Sequence, residues 1–126
     1  MKYLLDTNAL LYAFSAPSEL SGRARRIVRG ESDLSASIVS FWEIAIKQSI
    51  GKLKFSMTIP ELEALCAERD IRILGIRSAA IERIKGLPQI HGDPFDRLLI
   101  AQAQTEDMII VTHDRLIPQY PVRTVW

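Results

Sequence analysis

Short apolar runs alternate with longer amphipathic stretches along the whole chain. Tyr3-Leu4-Leu5 is an apolar run that stops at Asp6 and reads as a buried strand. Thr7 and Asn8 offer capping side chains for a helix over 9–14, which Pro17 breaks. A second helix is predicted over 21–28, closed by Gly30. Leu34-Ser35-Ala36 reads as a second strand. The helix after it, over 38–50, places Ile38, Phe41, Trp42, Ala45 and Ile46 on a broad apolar face and stops at Gly51. Pro60 opens another helix, to about Arg69, from a favoured first-turn position. Ile71-Arg72-Ile73-Leu74 is the third strand. A helix over 79–85 ends near Gly86 and Pro88, and a strongly apolar helix covers 95–105. Met108-Ile109-Ile110-Val111-Thr112 is the clearest strand, and 122–125 reads as a last edge strand.

Strands that alternate with helices imply an open α/β sheet of four or five strands, mostly parallel and covered on both faces. At 126 residues, with no internal repeat or long linker, the chain reads as one domain over 1–126. Its 48% hydrophobic content supplies a core, and its longest apolar stretches fall well short of the ~20 residues that cross a bilayer. Asp6 interrupts what would otherwise resemble a signal sequence, so the chain reads as cytosolic. The lone Cys66 has no internal disulfide partner and reads as a packed helix residue. One cysteine and two separated histidines do not make a structural zinc site.

Net charge is +1, so any affinity for nucleic acid must be local. The candidate patch is Arg23, Arg25, Arg26 and Arg29, which is equally an ordinary solvated helix surface.

The acids change the picture. Active sites of open parallel sheets form at the carboxyl ends of strands. Asp6 falls at the end of the first strand, and Asp114 falls two residues beyond Thr112. Glu43 interrupts an apolar helix between Trp42 and Ile44, and Asp96 opens another between Phe95 and Leu98. Each has a local explanation. Asp6 suits a cap and Asp114 a turn. Glu43 can pair with Lys47 for ~0.2–0.5 kcal/mol. Asp93-Pro94 looks like a cap with proline after it, putting Asp96 in the first turn. Jointly, though, Asp6, Glu43, Asp96 and Asp114 can all point into one cleft. Two carboxylates roughly 5 Å apart repel by about 3 kcal/mol at an effective dielectric near 20, a cost no fold incurs for stability. Such an oxygen-rich cluster suits Mg²⁺ or Mn²⁺ rather than zinc. A divalent ion removes the repulsion, polarises a phosphoryl oxygen and helps generate hydroxide from bound water.

Four segments, in this order, resemble the PIN-domain family, and within it the VapC-type toxins of bacterial toxin–antitoxin modules. They are Leu4-Leu5-Asp6-Thr7-Asn8; Ser40-Phe41-Trp42-Glu43-Ile44; the run from His91-Gly92-Asp93-Pro94-Phe95-Asp96-Arg97 to Ala101-Gln102-Ala103; and Val111-Thr112-His113-Asp114. The last-but-one is the most specific. The resemblance spans nearly the whole chain and implies a three-layer α/β/α fold and metal-dependent endoribonuclease activity. It carries the metal-binding acids onto Asp6, Glu43, Asp96 and Asp114, with Asp93 as a fifth candidate. It makes Thr112 and Asn8 supporting donors behind the metal ligands. Gly92 departs from the charged residue often found there, which bears on substrate contacts. Arg23, Arg25, Arg26, Arg29 and Lys47 are candidate RNA contacts. His91 and His113 are possible bases, though metal-bound hydroxide would make a base unnecessary; loop hydrogen bonding is their alternative. The resemblance also implies a homodimer and an antitoxin partner. Phe41, Trp42, Ile46, Ile50, Leu53 and Phe55 are either core or a groove for a partner helix.

Two other classes compete. A phospho-signalling receiver also gathers acids around Mg²⁺, but it wants an acidic pair after strand one and a lysine after a late strand. Here Asp6 is followed by Thr7-Asn8, and Thr112 by His113. A PIN-like module that binds RNA or a partner without cutting is the second.

Overall fold

The computed structural model describes residues 1–30 and 33–126. Strand β1 (Lys2–Leu5) leads directly into helix α1 (Thr7–Ser15), and a 3-10 turn at Pro17–Glu19 redirects the chain into α2 (Gly22–Arg29). The cap of α1 is Asp6, so neither Thr7 nor Asn8 serves as one. Ser21 caps α2 by accepting the Ala24 N–H. β2 (Asp33–Ser37) runs without a loop into α3 (Ile38–Ser49), because the Ser37 hydroxyl accepts the Val39 N–H at 3.0 Å. α4 (Ile59–Glu68) starts with a reciprocal Thr58–Glu61 capping box, one residue before Pro60. β3 (Ile71–Leu74), α5 (Ser78–Ile84), α6 (Pro94–Glu106), β4 (Ile109–Val111) and β5 (Thr124–Val125) complete the chain.

The strands form one sheet in the order β3-β2-β1-β4-β5, and every pairing is parallel. The expected last edge strand is present, shortened to Thr124–Val125. From β1 the chain steps outward through β2 and β3, then returns to the other side of β1 for β4. That reversal opens a crevice at the carboxyl ends of β1 and β4, where ligands of open α/β sheets bind. The order also differs from the 2-1-3-4-5 order of receiver domains.

The two faces of the sheet carry separate cores. Leu4 pairs with Ile110, and both join Leu99, Ile100 and Ala103 of α6. Leu5 pairs with Val111, and both join Leu10, Phe41 and Leu62 on the opposite face. This is the two-residue alternation of a strand, with helices covering both sides. Cys66 is buried as a helix core residue, and burial, with the charge of Glu63, pushes its thiol up to about 11. Among the described residues no helix is long and apolar enough to cross a membrane.

The apolar face predicted for α3 is divided differently. Phe41 and Ile44 enter the core, while Trp42 and Ile50 are each 57% exposed. Ile38 is exposed, and Leu53 and Phe55 are half-buried against the core. The helix is apolar nearly all round, so spacing alone left its inward face open; docking on the sheet selects Val39, Phe41 and Ile44.

Candidate metal centre

The reversal of strand order sets the first two acids side by side. Asp6 ends β1 and caps α1, its Oδ1 accepting the Ala9 N–H at 2.8 Å. Its Oδ2 accepts the Thr112 hydroxyl at 2.6 Å. The same Thr112 oxygen accepts the Asp114 N–H at 3.0 Å. Asp114 is shaped by its own turn, with Oδ1 accepting the N–H groups of Leu116 at 2.7 Å and Ile117 at 3.2 Å. One hydroxyl at the end of β4 therefore positions both strand-end acids.

Two helices bring the others. Glu43 lies one and a half turns into α3 and is only 4% exposed. Its Oε1 accepts the Thr7 hydroxyl at 2.7 Å, and its Oε2 pairs with Lys47 Nζ at 2.6 Å. Thr7 also meets the Ser40 hydroxyl at 2.9 Å, tying the start of α1 to α3. Asp96 sits in the first turn of α6, after Asp93 caps that helix by accepting the Phe95 N–H at 2.8 Å. Its Oδ2 faces His91 Nε2 at 3.0 Å, and Asp114 Oδ2 faces the same nitrogen at 3.2 Å.

Burial, with like charge added to it, works on the carboxylates of the cluster. Burial pushes the Asp6 carboxyl up to about 6, with the charges of Asp114 and Glu43 adding to it, against the hydrogen bonds from Thr112 and Ala9. Burial also raises Asp96 to about 7, helped by Asp93, Asp6 and Glu43. Partial burial works upward on Asp114 too, but hydrogen bonds from Leu116, His91 and Ile117 hold it below the usual carboxylate range. Lys47 is raised, above all by its hydrogen bond to Glu43, and it also feels Asp93 and Asp96. The charges of all five acids are felt by one another or by Lys47, which sets them in one neighbourhood at this end of the sheet. Among the described residues, only His91, Asp96 and Asp114 form a group whose ligand atoms all lie within 4.8 Å of one another; Asp6 and Glu43 stand outside it. A carboxylate-rich set held at such electrostatic cost fits a hard divalent cation, which would neutralise it.

Residues 3–122 match the PIN domain family. The chain belongs to the PIN-domain family. Ribonuclease VapC22 of Mycobacterium tuberculosis is 27% identical over 128 residues, covering 98% of this chain and 97% of that protein. Among solved structures, VapBC2 from Rickettsia felis bound to a promoter DNA fragment superposes with a TM-score of 0.74 at 16% identity, covering 99% of this chain and 98% of that one. VapBC-1 from nontypeable Haemophilus influenzae gives 0.66 at 19% identity, covering 99% and 97%. At such identities the solved structures speak to the fold, and the α/β/α fold is that of these PIN-domain proteins.

Within this PIN domain, Thr112 links Asp6 to Asp114 and His91 links Asp114 to Asp96, while Glu43 is held by Thr7 and Lys47. Asn8 does not take the supporting place expected of it; it is exposed on α1, and the neighbouring Thr7 reaches Glu43 instead. Arg23 lines a groove of about 500 Å³ with Met1, Tyr3 and Ile109, at the amino ends of β1 and β4, away from Asp6 and Asp114. Arg25 turns back to the Leu20 carbonyl at 3.3 Å, and Arg26 and Arg29 are exposed farther along α2. His113 is exposed and stacks on Trp126 with ring centroids 5.0 Å apart.

Thr7, Ser40 and Gln102 are roles the sequence reading missed. Gln102 is buried; its Oε1 accepts the Ser37 hydroxyl at 2.6 Å and its Nε2 donates to the Gly75 carbonyl at 3.2 Å, fastening α6 to the ends of β2 and β3. The available signal was a polar residue amid the apolar run of α6.

Proposed function

We propose that this PIN domain is a metal-dependent endoribonuclease that hydrolyses RNA phosphodiester bonds. The observation that carries the reading is the run of contacts at the β1/β4 crevice, where Thr112 links Asp6 to Asp114 and His91 links Asp114 to Asp96, with Asp6 and Asp96 raised to about 6 and about 7. Asp6, Asp96 and Asp114 would hold Mg²⁺ or Mn²⁺, with Glu43 as a further ligand or as the base toward the attacking water. When bound, the cation supplies Lewis-acid polarisation of the phosphodiester and lowers the pKa of water. Thr112 orients Asp6 and Asp114, and Thr7 and Lys47 orient Glu43. Lys47 is 44% exposed at its side chain, so it meets a phosphate from the rim of the site while paired with Glu43. Asp93 acts as the helix cap and as a negative charge beside the site rather than as a committed ligand.

The name of the relative VapC22, the VapBC complexes and a toxin–antitoxin complex from Klebsiella pneumoniae support a toxin role with a cognate antitoxin as partner; a homodimer in the cytoplasm is the assembly and location we propose with it. Trp42, Ile38 and Ile50, exposed on and beside α3, are the apolar surface offered to that partner. The test is cleavage of end-labelled RNA in Mg²⁺, Mn²⁺ and EDTA, with Asp96→Asn prepared identically. Cleavage that requires metal and is lost in Asp96→Asn is expected. Equal cleavage by both proteins, or none by either across structured and single-stranded RNAs, would overturn the reading.

A further inference from the structure

The loop between α5 and α6 carries His91 into the acidic cluster, and it is held from behind. The buried Tyr120 hydroxyl accepts the backbone N–H of His91 at 2.6 Å and of Ile90 at 3.2 Å. The Arg97 guanidinium lies 3.2 Å from the same oxygen and donates to the Pro88 carbonyl at 2.8 Å. The loop backbone is thereby clamped to α6 and to the turn after β4.

The ring inherits one orientation. His91 Nδ1 accepts the Asp93 N–H at 3.1 Å, so the ring proton lies on Nε2. Nε2 stands 3.0 Å from Asp96 Oδ2 and 3.2 Å from Asp114 Oδ2, with the side chain only 11% exposed. A protonated Nε2 is a donor to both carboxylates and has no lone pair left for a cation. Coordination through that nitrogen would require the proton on Nδ1, facing the Asp93 N–H. The two oxygens it holds belong to two of the acids assigned to the cation.

We propose that His91 is an internal competitor of the divalent cation: its Nε2–H bridges Asp96 and Asp114, and the ring gives up both hydrogen bonds before a cation is held there. The inference rests on the metal-dependent reading above and deepens it. His91 is then a positioning residue that keeps the two carboxylates together while setting the metal concentration at which the site fills. Tyr120, by clamping the loop, sets how readily the ring leaves.

The experiment is a calorimetric titration of Mn²⁺ into the full chain as wild type, His91→Ala, Tyr120→Phe and Asp96→Asn, with folding checked by circular dichroism. His91→Ala is expected to bind about tenfold more tightly, because charge-assisted hydrogen bonds no longer have to be broken. Tyr120→Phe is expected to shift affinity the same way by a smaller factor. In nitrogen-detected histidine NMR of the wild type, Mg²⁺ should move the His91 Nε2 signal away from its carboxylate-bonded position. Weaker binding by His91→Ala would make the ring a ligand and overturn the proposal, and unchanged binding would overturn it equally. Should His91→Ala not fold, Tyr120→Phe decides by the same criteria. Wild-type binding that Asp96→Asn abolishes and His91→Ala does not tighten defeats the competition alone. No Mn²⁺ binding by the wild type defeats the metal-dependent reading with it.

Discussion

The Thr112 hydroxyl donates to Asp6 Oδ2 across 2.6 Å, joining residues 106 positions apart in sequence. The same oxygen accepts the Asp114 N–H, so this threonine determines where both strand-end acids lie. Thr112→Val keeps the shape and removes both bonds, leaving the Asp114 N–H unpartnered. The expected losses are ~1–3 kcal/mol of stability by urea unfolding and roughly 10–100-fold in Mn²⁺ affinity by calorimetry. Thr112→Ser should restore most of both. Wild-type affinity in Thr112→Val would mean that the hydroxyl does not position the site.

Stability without added metal should fall as pH rises from about 4 to about 7. Asp6 and Asp96 ionise in the folded protein at about 6 and about 7, above their ordinary value of 3.8. Between the unfolded and folded values the native state binds more protons, so raising the pH favours unfolding. Asp114 has the opposite sign, but its lowered value confines that effect to more acidic solution. Saturating Mg²⁺ should lessen the decline across this window. Urea unfolding from pH 4.5 to 8, with and without Mg²⁺, checks this, and metal-free stability that climbs through the window would refute the clustering.

Asp96→Asn relieves repulsion while keeping an oxygen that can accept from His91. Without metal at pH 7.5 it should raise the melting temperature by a few degrees, since relief worth roughly 1 kcal/mol shifts a domain of this size by about that much. It should also abolish the stabilisation by Mg²⁺ that the wild type shows. A variant that melts lower, or still responds fully to Mg²⁺, would remove Asp96 from the ligand set.

Phe41 and Trp42 are neighbours with opposite fates, 2% and 57% exposed. Phe41→Ala should cost about 3–5 kcal/mol through lost burial and a cavity. Trp42→Ala should cost only about 1 kcal/mol, since its main described contact is an edge-to-face pair with Phe95 at 5.2 Å between centroids. Paired chemical-denaturation curves decide, and equal losses would contradict the division of the α3 face. If the exposed stripe serves a partner, Trp42→Ala should also weaken co-purification with a co-expressed antitoxin while leaving RNA cleavage unchanged.

Much of this architecture is legible in the sequence. The run Met108 to Thr112 and the run ending at Asp6 announce strands because they are short apolar runs with polar residues at their ends, the first rich in β-branched residues, as suits a strand buried on both faces. Asp93-Pro94 announces the start of α6, because a carboxylate can cap the free N–H groups and proline needs none. Glu43 and Asp96 stood out as charges in apolar surroundings, and Asp6 and Asp114 as acids just beyond strand-like runs, which the local sequence alone reveals.

Other features depend on how the elements pack. Spacing could not say that Thr7 reaches Glu43 while Asn8 faces solvent, because adjacent helix residues point about 100° apart and either can be the inward one. It could not place Arg23 beside Met1, Tyr3 and Ile109 at the amino ends of β1 and β4, since the direction of a helix relative to a distant strand is a property of the crossover. Nor could it bring His91 between Asp96 and Asp114, a position that depends on the Tyr120 hydroxyl gripping the loop from 29 residues away in sequence. The sequence by itself determined which segments become strands and helices and which acids are out of place, because periodicity and desolvation act locally. Only the tertiary structure decided which of those groups meet, because hydrogen bonds and charge repulsion depend on distances that the sheet order creates.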